Sequence, residues 1–290
     1  SLFIIFLWNN GTALGWDLSV AIILDEHSGD LGRLLASIRS QDMPDPAPSS
    51  IDLLFVQPTP HVTLTVAQRA RLKSVSWGLG KTRIVPYPIK RQNSIFPNVF
   101  SFWGSAHASD SYLLLLNTRS ELSVLAMKWI AAAIQYVESG HIVERSRIAG
   151  LSLSNPTVVE ALAGTPPFNA VDILARYGKP AGHPYLFQRP EVWGGLWFPE
   201  HWRRMTSYCR FREAGGVETD VHVPDSLSNK WYGQRSAHRY MYEYFYINDA
   251  FMLYPTLELG GSLVRTDFAT GETDATQPMT HVESPWSVNR

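Results

Sequence analysis

The chain has 290 residues, 45% of them hydrophobic and 18% charged, and a formal net charge of −1. That length buries a sizeable core, as one large domain or two, and the near-neutral charge gives no electrostatic reason to expect nucleic acid or an anionic membrane as a partner. The single cysteine, Cys209, excludes an internal disulfide framework and reads as a small apolar residue on a helix.

The sequence starts at Ser1, which fits processing or a longer parent chain. Residues 2–8 (LFIIFLW) are apolar but too short to cross a bilayer, so no transmembrane span is expected within the chain. A first buried strand is favoured there over the stub of a signal anchor or the apolar part of a signal peptide. Residues 20–24 (VAIIL) form a fully apolar strand, as a central parallel strand should be. A polar turn over 25–30 follows. Leu31, Leu34, Leu35 and Ile38 then recur at helix spacing. Residues 51–56 (IDLLFV) give a second strand, 65–77 a helix, and 82–85 a short third strand before Pro86 and Pro88. Residues 93–107, aromatic and rich in Gly, Asn and Ser, read as a packed loop.

The pivotal stretch is 110–138. An apolar strand over 112–116 leads into the turn Asn117-Thr118-Arg119-Ser120-Glu121. Ser123 is a candidate cap for the next helix, whose core face is expected to carry Leu125, Trp129, Ala132, Ala133 and Tyr136. This β-α-β-α-β order predicts a mostly parallel sheet flanked by helices, with any ligand at the carboxyl ends of the strands.

In the second half, 148–153 read as a strand and 186–202 concentrate aromatics around Gly194-Gly195. A helix is expected from Pro199, burying Trp202, Met205 and Tyr208 or Cys209. A long aromatic helix over 231–248 uses Tyr240, Tyr244 and Ile247 or Phe251; being apolar nearly all round, it is either central or set against another protein. A last strand covers 251–254, and the tail beyond Thr273 is expected to be loosely held. His183, His201, His222, His238 and His281 form no tight metal-ligand spacing. No P-loop, G-x-G-x-x-G or Ser-His-Asp order is present.

The strand VAIIL with its following LxRLLxSIxSQ, the segment SYLLLLNTRSELSVLAMKWI, and the blocks PEVWGGLWFPEHWRRM, SNKWYGQRSAHRYMYEYFYINDAFMLYPT and SLVRTDFATGET occur in this order. Together they resemble the eukaryotic family 2-like glycosyltransferases of GT-A fold, from Val20 to about Glu272. The resemblance implies an α/β, Rossmann-like domain over 19–273, with a nucleotide-binding half at 19–140 and an acceptor half at 141–273. Residues 1–18 are then an extension and 274–290 a tail. It also implies a nucleotide-sugar donor at the strand ends, with Asp25 and Glu26 near the nucleoside. In such enzymes an acidic motif and a later His hold a divalent cation on the diphosphate, where it offsets charge on the leaving group.

The chain departs from that pattern at both ends of the metal site. Asn117, Thr118 and Arg119 stand where the acidic motif is expected, and Asp267 and Thr273 stand where the histidines are expected. No cofactor is therefore expected, and the divalent metal site is expected to be lost. In one reading the protein no longer transfers sugar and serves as a structural subunit beside other proteins. In the other, Arg119, helped by Lys81, Arg83, Lys90 and Arg91 if the fold brings them near, replaces the metal on a nucleotide sugar and a glycan acceptor is used. Glu200 is then the candidate general base, though a helix amino terminus favours a glutamate in any case. Trp193 beside Gly194 is the candidate acceptor contact, against the plainer expectation that such aromatics are core. The resemblance points to the secretory pathway, Golgi or ER lumen; a structural subunit fits a mitochondrial or other organellar complex equally well.

Overall fold

The computed structural model describes residues 15–24, 31–59, 62–75, 79–88, 110–139, 142, 144–157, 159, 166–180, 182–216, 237–257 and 261–266. Eight strands make one sheet. They are β1 (Asp17–Ile23), β2 (Ser50–Thr59), β3 (Thr82–Pro88), β4 (Tyr112–Asn117), β6 (Ile148–Ser152), β7 (Tyr185–Phe187), β8 (Gly195–Trp197) and β9 (Phe251–Tyr254). Their order is β3-β2-β1-β4-β8-β6-β9-β7. All run parallel except β8, which inserts antiparallel between β4 and β6, and β7 at the edge. A separate antiparallel pair joins β5 (Ser120–Leu122) to β10 (Val264–Thr266).

The strand side chains alternate between two cores. Leu18, Val20 and Ile22 of β1 pack with Leu34, Leu35 and Ile38 of α1 (Leu31–Arg39), Leu72 of α2 (Val66–Lys73) and Ile130, Ile134 and Val137 of α3 (Ala126–Glu138). On the other face, Ala21, Ile23, Leu113 and Leu115 pack with Trp202, Met205 and Cys209 of α5 (Pro199–Glu213). Tyr240, Tyr244 and Phe245 of α6 (Ala237–Ile247) complete that layer. A short α4 (Ala170–Arg176) precedes β7. The mostly parallel sheet flanked by helices read from the sequence is present, and the aromatic helix α6 buries Tyr240, Tyr244 and Phe245 while Tyr246 and Ile247 stay exposed. Among the described residues no helix is long and apolar enough to cross a membrane.

Several local expectations are corrected. Ser123 does not cap α3; Leu125 is the N-cap residue, and the Ser123 hydroxyl instead accepts from the Leu125 amide at 3.1 Å. The buried face of α3 is Ala126, Met127, Ile130, Ala133, Ile134 and Val137, while Trp129 and Tyr136 are only partly buried, because the helix is rotated so that the stripe through Ile130, Ile134 and Val137 meets the sheet. α2 is shorter than expected and is opened by a capping box, Thr65 with Gln68. β3 runs on through Pro86 and Pro88, which an edge strand tolerates because one side needs no amide donors. The expected strand at 2–8, the loop at 93–107 and the helix start at 231–236 lie outside the described residues.

Helices α5 and α6 are joined by a buried charge cluster that the sequence did not announce. The Glu243 carboxylate is fully buried and accepts from Arg212 Nε at 2.9 Å, Arg239 Nε at 3.2 Å and Tyr208 OH at 3.0 Å. Arg212 also lies over the Tyr240 ring, 5.2 Å from its centre.

Candidate functional site at the strand ends

The chain runs outward from β1 to β2 and β3, then returns to form β4 on the other side of β1. In an open sheet this reversal leaves a crevice between the carboxyl ends of the two inner strands, the usual ligand position. Ile23, near the end of β1, pairs with Asn117, the last residue of β4. The turn after β4 therefore sits at the switch point. Asp25 and Glu26, which follow β1, lie outside the described residues, as do Lys90, Arg91, Asp267 and Thr273.

The turn is held by its own side chains. Asn117 Oδ1 accepts from the Arg119 amide and from the Ser120 hydroxyl, both at 3.0 Å. Ser120 Oγ in return accepts from the Asn117 amide at 3.2 Å. Ser120 Oγ also lies 3.3 Å from Thr266 Oγ1, so the turn is tied to β10 across 146 residues of sequence. Thr118 is fully buried and its hydroxyl has no hydrogen-bond partner among the described residues. A buried, unmade hydrogen bond costs about 1–3 kcal/mol, so Thr118→Val is expected to leave thermal stability unchanged or raise it. A fall in the unfolding midpoint would show that the hydroxyl is in use.

Because β8 runs antiparallel to β4, the residues before it are carried to this same end. The Gly194 amide donates to the Leu115 carbonyl at 2.8 Å, two residues before Asn117. Gly194 has φ +78°, and an added Cβ would sit 2.4 Å from Val264 Cγ1. The close approach this glycine allows is thus used by β10. Trp193 is partly buried and packs against the core shared with α5 and α6. Glu191, Arg189 and Ser154 form a hydrogen-bonded group near Trp193: Ser154 Oγ donates to Glu191 Oε2 at 3.1 Å and Arg189 Nη1 at 2.8 Å. Burial pushes the neighbouring Tyr254 phenol well above its usual value, which keeps it a donor, and it bonds to the Arg189 carbonyl at 2.9 Å.

The fold brings Asn117, Arg119, Trp193 and Gly194 to one end of the sheet but not Glu200. Glu200 opens α5 just beyond the carboxyl end of β8, beside Tyr112, at the amino end of β4. Six residues of β4 separate it from the turn, roughly 17 Å along the strand. Its carboxylate is exposed and pairs with Arg204 at 2.6 Å. Lys81 and Arg83 are likewise at the amino end of β3, held to Asp52, and do not join the turn.

What the turn offers chemically follows from these bonds. Asn117 Oδ1 is committed to the turn; the Asn117 NH₂ group is a donor by chemistry, and the Arg119 guanidinium is a cationic donor. A divalent cation needs several oxygen donors, carboxylates above all. Among the described residues no group of three or more His, Cys, Asp or Glu is placed to hold a metal ion. Asn117, Thr118 and Arg119 do not supply the carboxylate oxygens that the cation implied by the resemblance takes.

No protein-family model and no curated protein matches the sequence. Solved structures do. The chain is similar to GalNAc-T7 bound to UDP, GalNAc and Mn²⁺, with 14% identity, a TM-score of 0.50, and coverage of 92% of this chain and 46% of that one. S. aureus TarS is similar at 11% identity and a TM-score of 0.40, covering 83% of this chain and 58% of that one. TarS with UDP-GlcNAc is similar at 10% identity and a TM-score of 0.39, covering 83% and 56%. The chain thus spans about half the length of the solved structures it matches. The sheet order, the switch point and the match to GalNAc-T7 give one conclusion: the chain has the GT-A type fold of glycosyltransferases.

Proposed function

We propose that this protein keeps a glycosyltransferase scaffold, has lost metal-dependent sugar transfer, and acts as a structural or interaction subunit of a larger assembly. The observation that carries the reading is the turn at the switch point. The Asn117 amide oxygen is consumed internally, and at the positions where the acidic motif is expected Asn117 and Arg119 present donors rather than carboxylates. The scaffold outlives the site because its stability comes from apolar area buried in the two cores, none of which depends on a ligand. Exposed Phe211, Tyr246 and Ile247 on α5 and α6 support contact with another protein. The organellar and secretory settings both accommodate such a subunit.

A second reading is metal-independent transfer from a nucleotide sugar to an acceptor hydroxyl, with Arg119 and the Asn117 amide on the diphosphate. The donor character of the turn favours it, since a guanidinium gives phosphate two parallel hydrogen bonds. The position of Glu200 at the far end of β4 weighs against that residue as its base.

Calorimetric titration of UDP- and GDP-sugars, with and without Mn²⁺, together with a donor-hydrolysis assay, separates the two. Absence of binding under both conditions, with recovery of the protein in a larger complex, is the expected result. Metal-independent binding with hydrolysis, abolished by Arg119→Ala, would establish the second reading instead.

A further inference from the structure

At the amino ends of β4 and β6, opposite the switch point, lies a cavity of about 210 Å³ lined by Tyr112, Arg145, Ser146, Phe198, Glu200 and His201, among others. His201 is the buried member, with 5% of its surface exposed, and it touches three elements. Its Nε2 is 2.8 Å from the Ser146 carbonyl in the turn before β6. A carbonyl only accepts, so Nε2 carries the proton. Nδ1, 3.0 Å from Tyr244 OH, is then the acceptor of the phenol on α6.

We propose that His201 is a proton-sensitive clasp: neutral, it ties α5 to α6 and to the turn before β6, and on protonation it no longer accepts from Tyr244, which loosens the wall of this cavity. A proton on Nδ1 turns that atom into a donor, so the neutral-state bond is lost: the Tyr244 hydroxyl must turn its proton away and accept from a cation instead. The surroundings oppose the added charge. Arg204 and Arg203 come from α5 and Arg145 from the preceding turn; Glu200 and the exposed Asp110 oppose them; Tyr112 and Tyr244 are neutral phenols. Glu138 is already occupied by Arg145 and Tyr112. His201 is also in the first turn of α5, where the helix dipole disfavours a cation. Burial, with the two arginines, lowers the His201 pKa from its ordinary value of 6.5, against the Ser146 bond and Glu200. Burial pushes the Tyr244 phenol up to about 12, so it does not ionise over the same range.

The sign follows from linkage. Below pH 6.5 the unfolded chain binds a proton that the folded chain resists. The stabilisation is complete above 6.5, is lost as pH falls toward the lower folded value, and then levels off. The test is NMR titration of the His201 ring with amide exchange in α6 and residues 145–147, between about pH 8 and pH 5. The expected results are a His201 midpoint below 6.5 and, in wild type, several-fold faster exchange at low pH after correction for intrinsic chemistry. His201→Gln, which keeps a donor and an acceptor but cannot titrate, is expected to abolish that acceleration. A midpoint at or above 6.5, or equal acceleration in His201→Gln, would overturn the proposal. If the variant folds poorly, amide exchange in the wild type decides the matter: acceleration absent from α6 and residues 145–147 at low pH would overturn the proposal.

Discussion

Gly194→Ala is expected to lower stability by about 2–5 kcal/mol, the sum of a left-handed backbone penalty and overpacking. Gly194 has φ +78°, which an L side chain resists, and the new methyl would lie 2.4 Å from Val264 Cγ1, with Val264 Cβ at 3.3 Å and Leu153 Cβ at 3.5 Å behind it. Valine is stiff about χ1, so the clash is relieved only by shifting β10. That shift would pull on Leu122 and, through Thr266, on Ser120 and the strand-end turn. For a chain of this size the thermal midpoint should drop by roughly 4–20 °C. The double variant Gly194→Ala with Val264→Ala should recover part of the loss, because the 2.4 Å clash with Cγ1 is removed while the backbone component stays. If the double variant is no more stable than the single one, the packing account of this glycine fails.

The second large effect concerns Glu243. Its carboxylate is fully buried between Arg212 and Arg239, with the Tyr208 hydroxyl as a third donor. Glu243→Ala strands two guanidiniums whose side chains are 9% and 23% exposed. Breaking one side of such a pair costs about 3–5 kcal/mol, because the charge left behind is desolvated without compensation. A guanidinium keeps its proton throughout the working pH range, so Arg212 cannot escape the penalty by deprotonation. Denaturant unfolding of Glu243→Ala and Glu243→Gln measures this. The glutamine, which keeps one acceptor, should fall between wild type and alanine. Equal stability of all three would show the cluster to be solvated.

Much of this architecture is legible in the residues. β1, β2 and β4 are buried on both faces and so read as unbroken apolar runs, and α1, α5 and α6 bury residues at helix spacing. β5, β7, β8 and β10 are three residues each, too short to show a period. The strand-end turn was recognisable because it follows an apolar run. Its closure was not, because the Ser120–Thr266 contact spans 146 residues and rests on hydroxyls with no sequence signature. The separation of Glu200 from Trp193 was equally hidden. Seven residues apart in sequence, they lie at opposite ends of β4 because β8 between them runs antiparallel. The Glu243 cluster draws Arg212 and Arg239 from two helices, and only their packing reveals that the carboxylate is inside.

The proposed function stands on the crevice between β1 and β4 having lost its cation site. Electron paramagnetic resonance of Mn²⁺ titrated into the protein, alone and with UDP-sugar, tests it most directly. The account predicts a spectrum that stays that of free or nucleotide-bound Mn²⁺ at every protein concentration. A protein-dependent loss of that signal, reversed by substituting carboxylates near the end of β1 or β4, would contradict it.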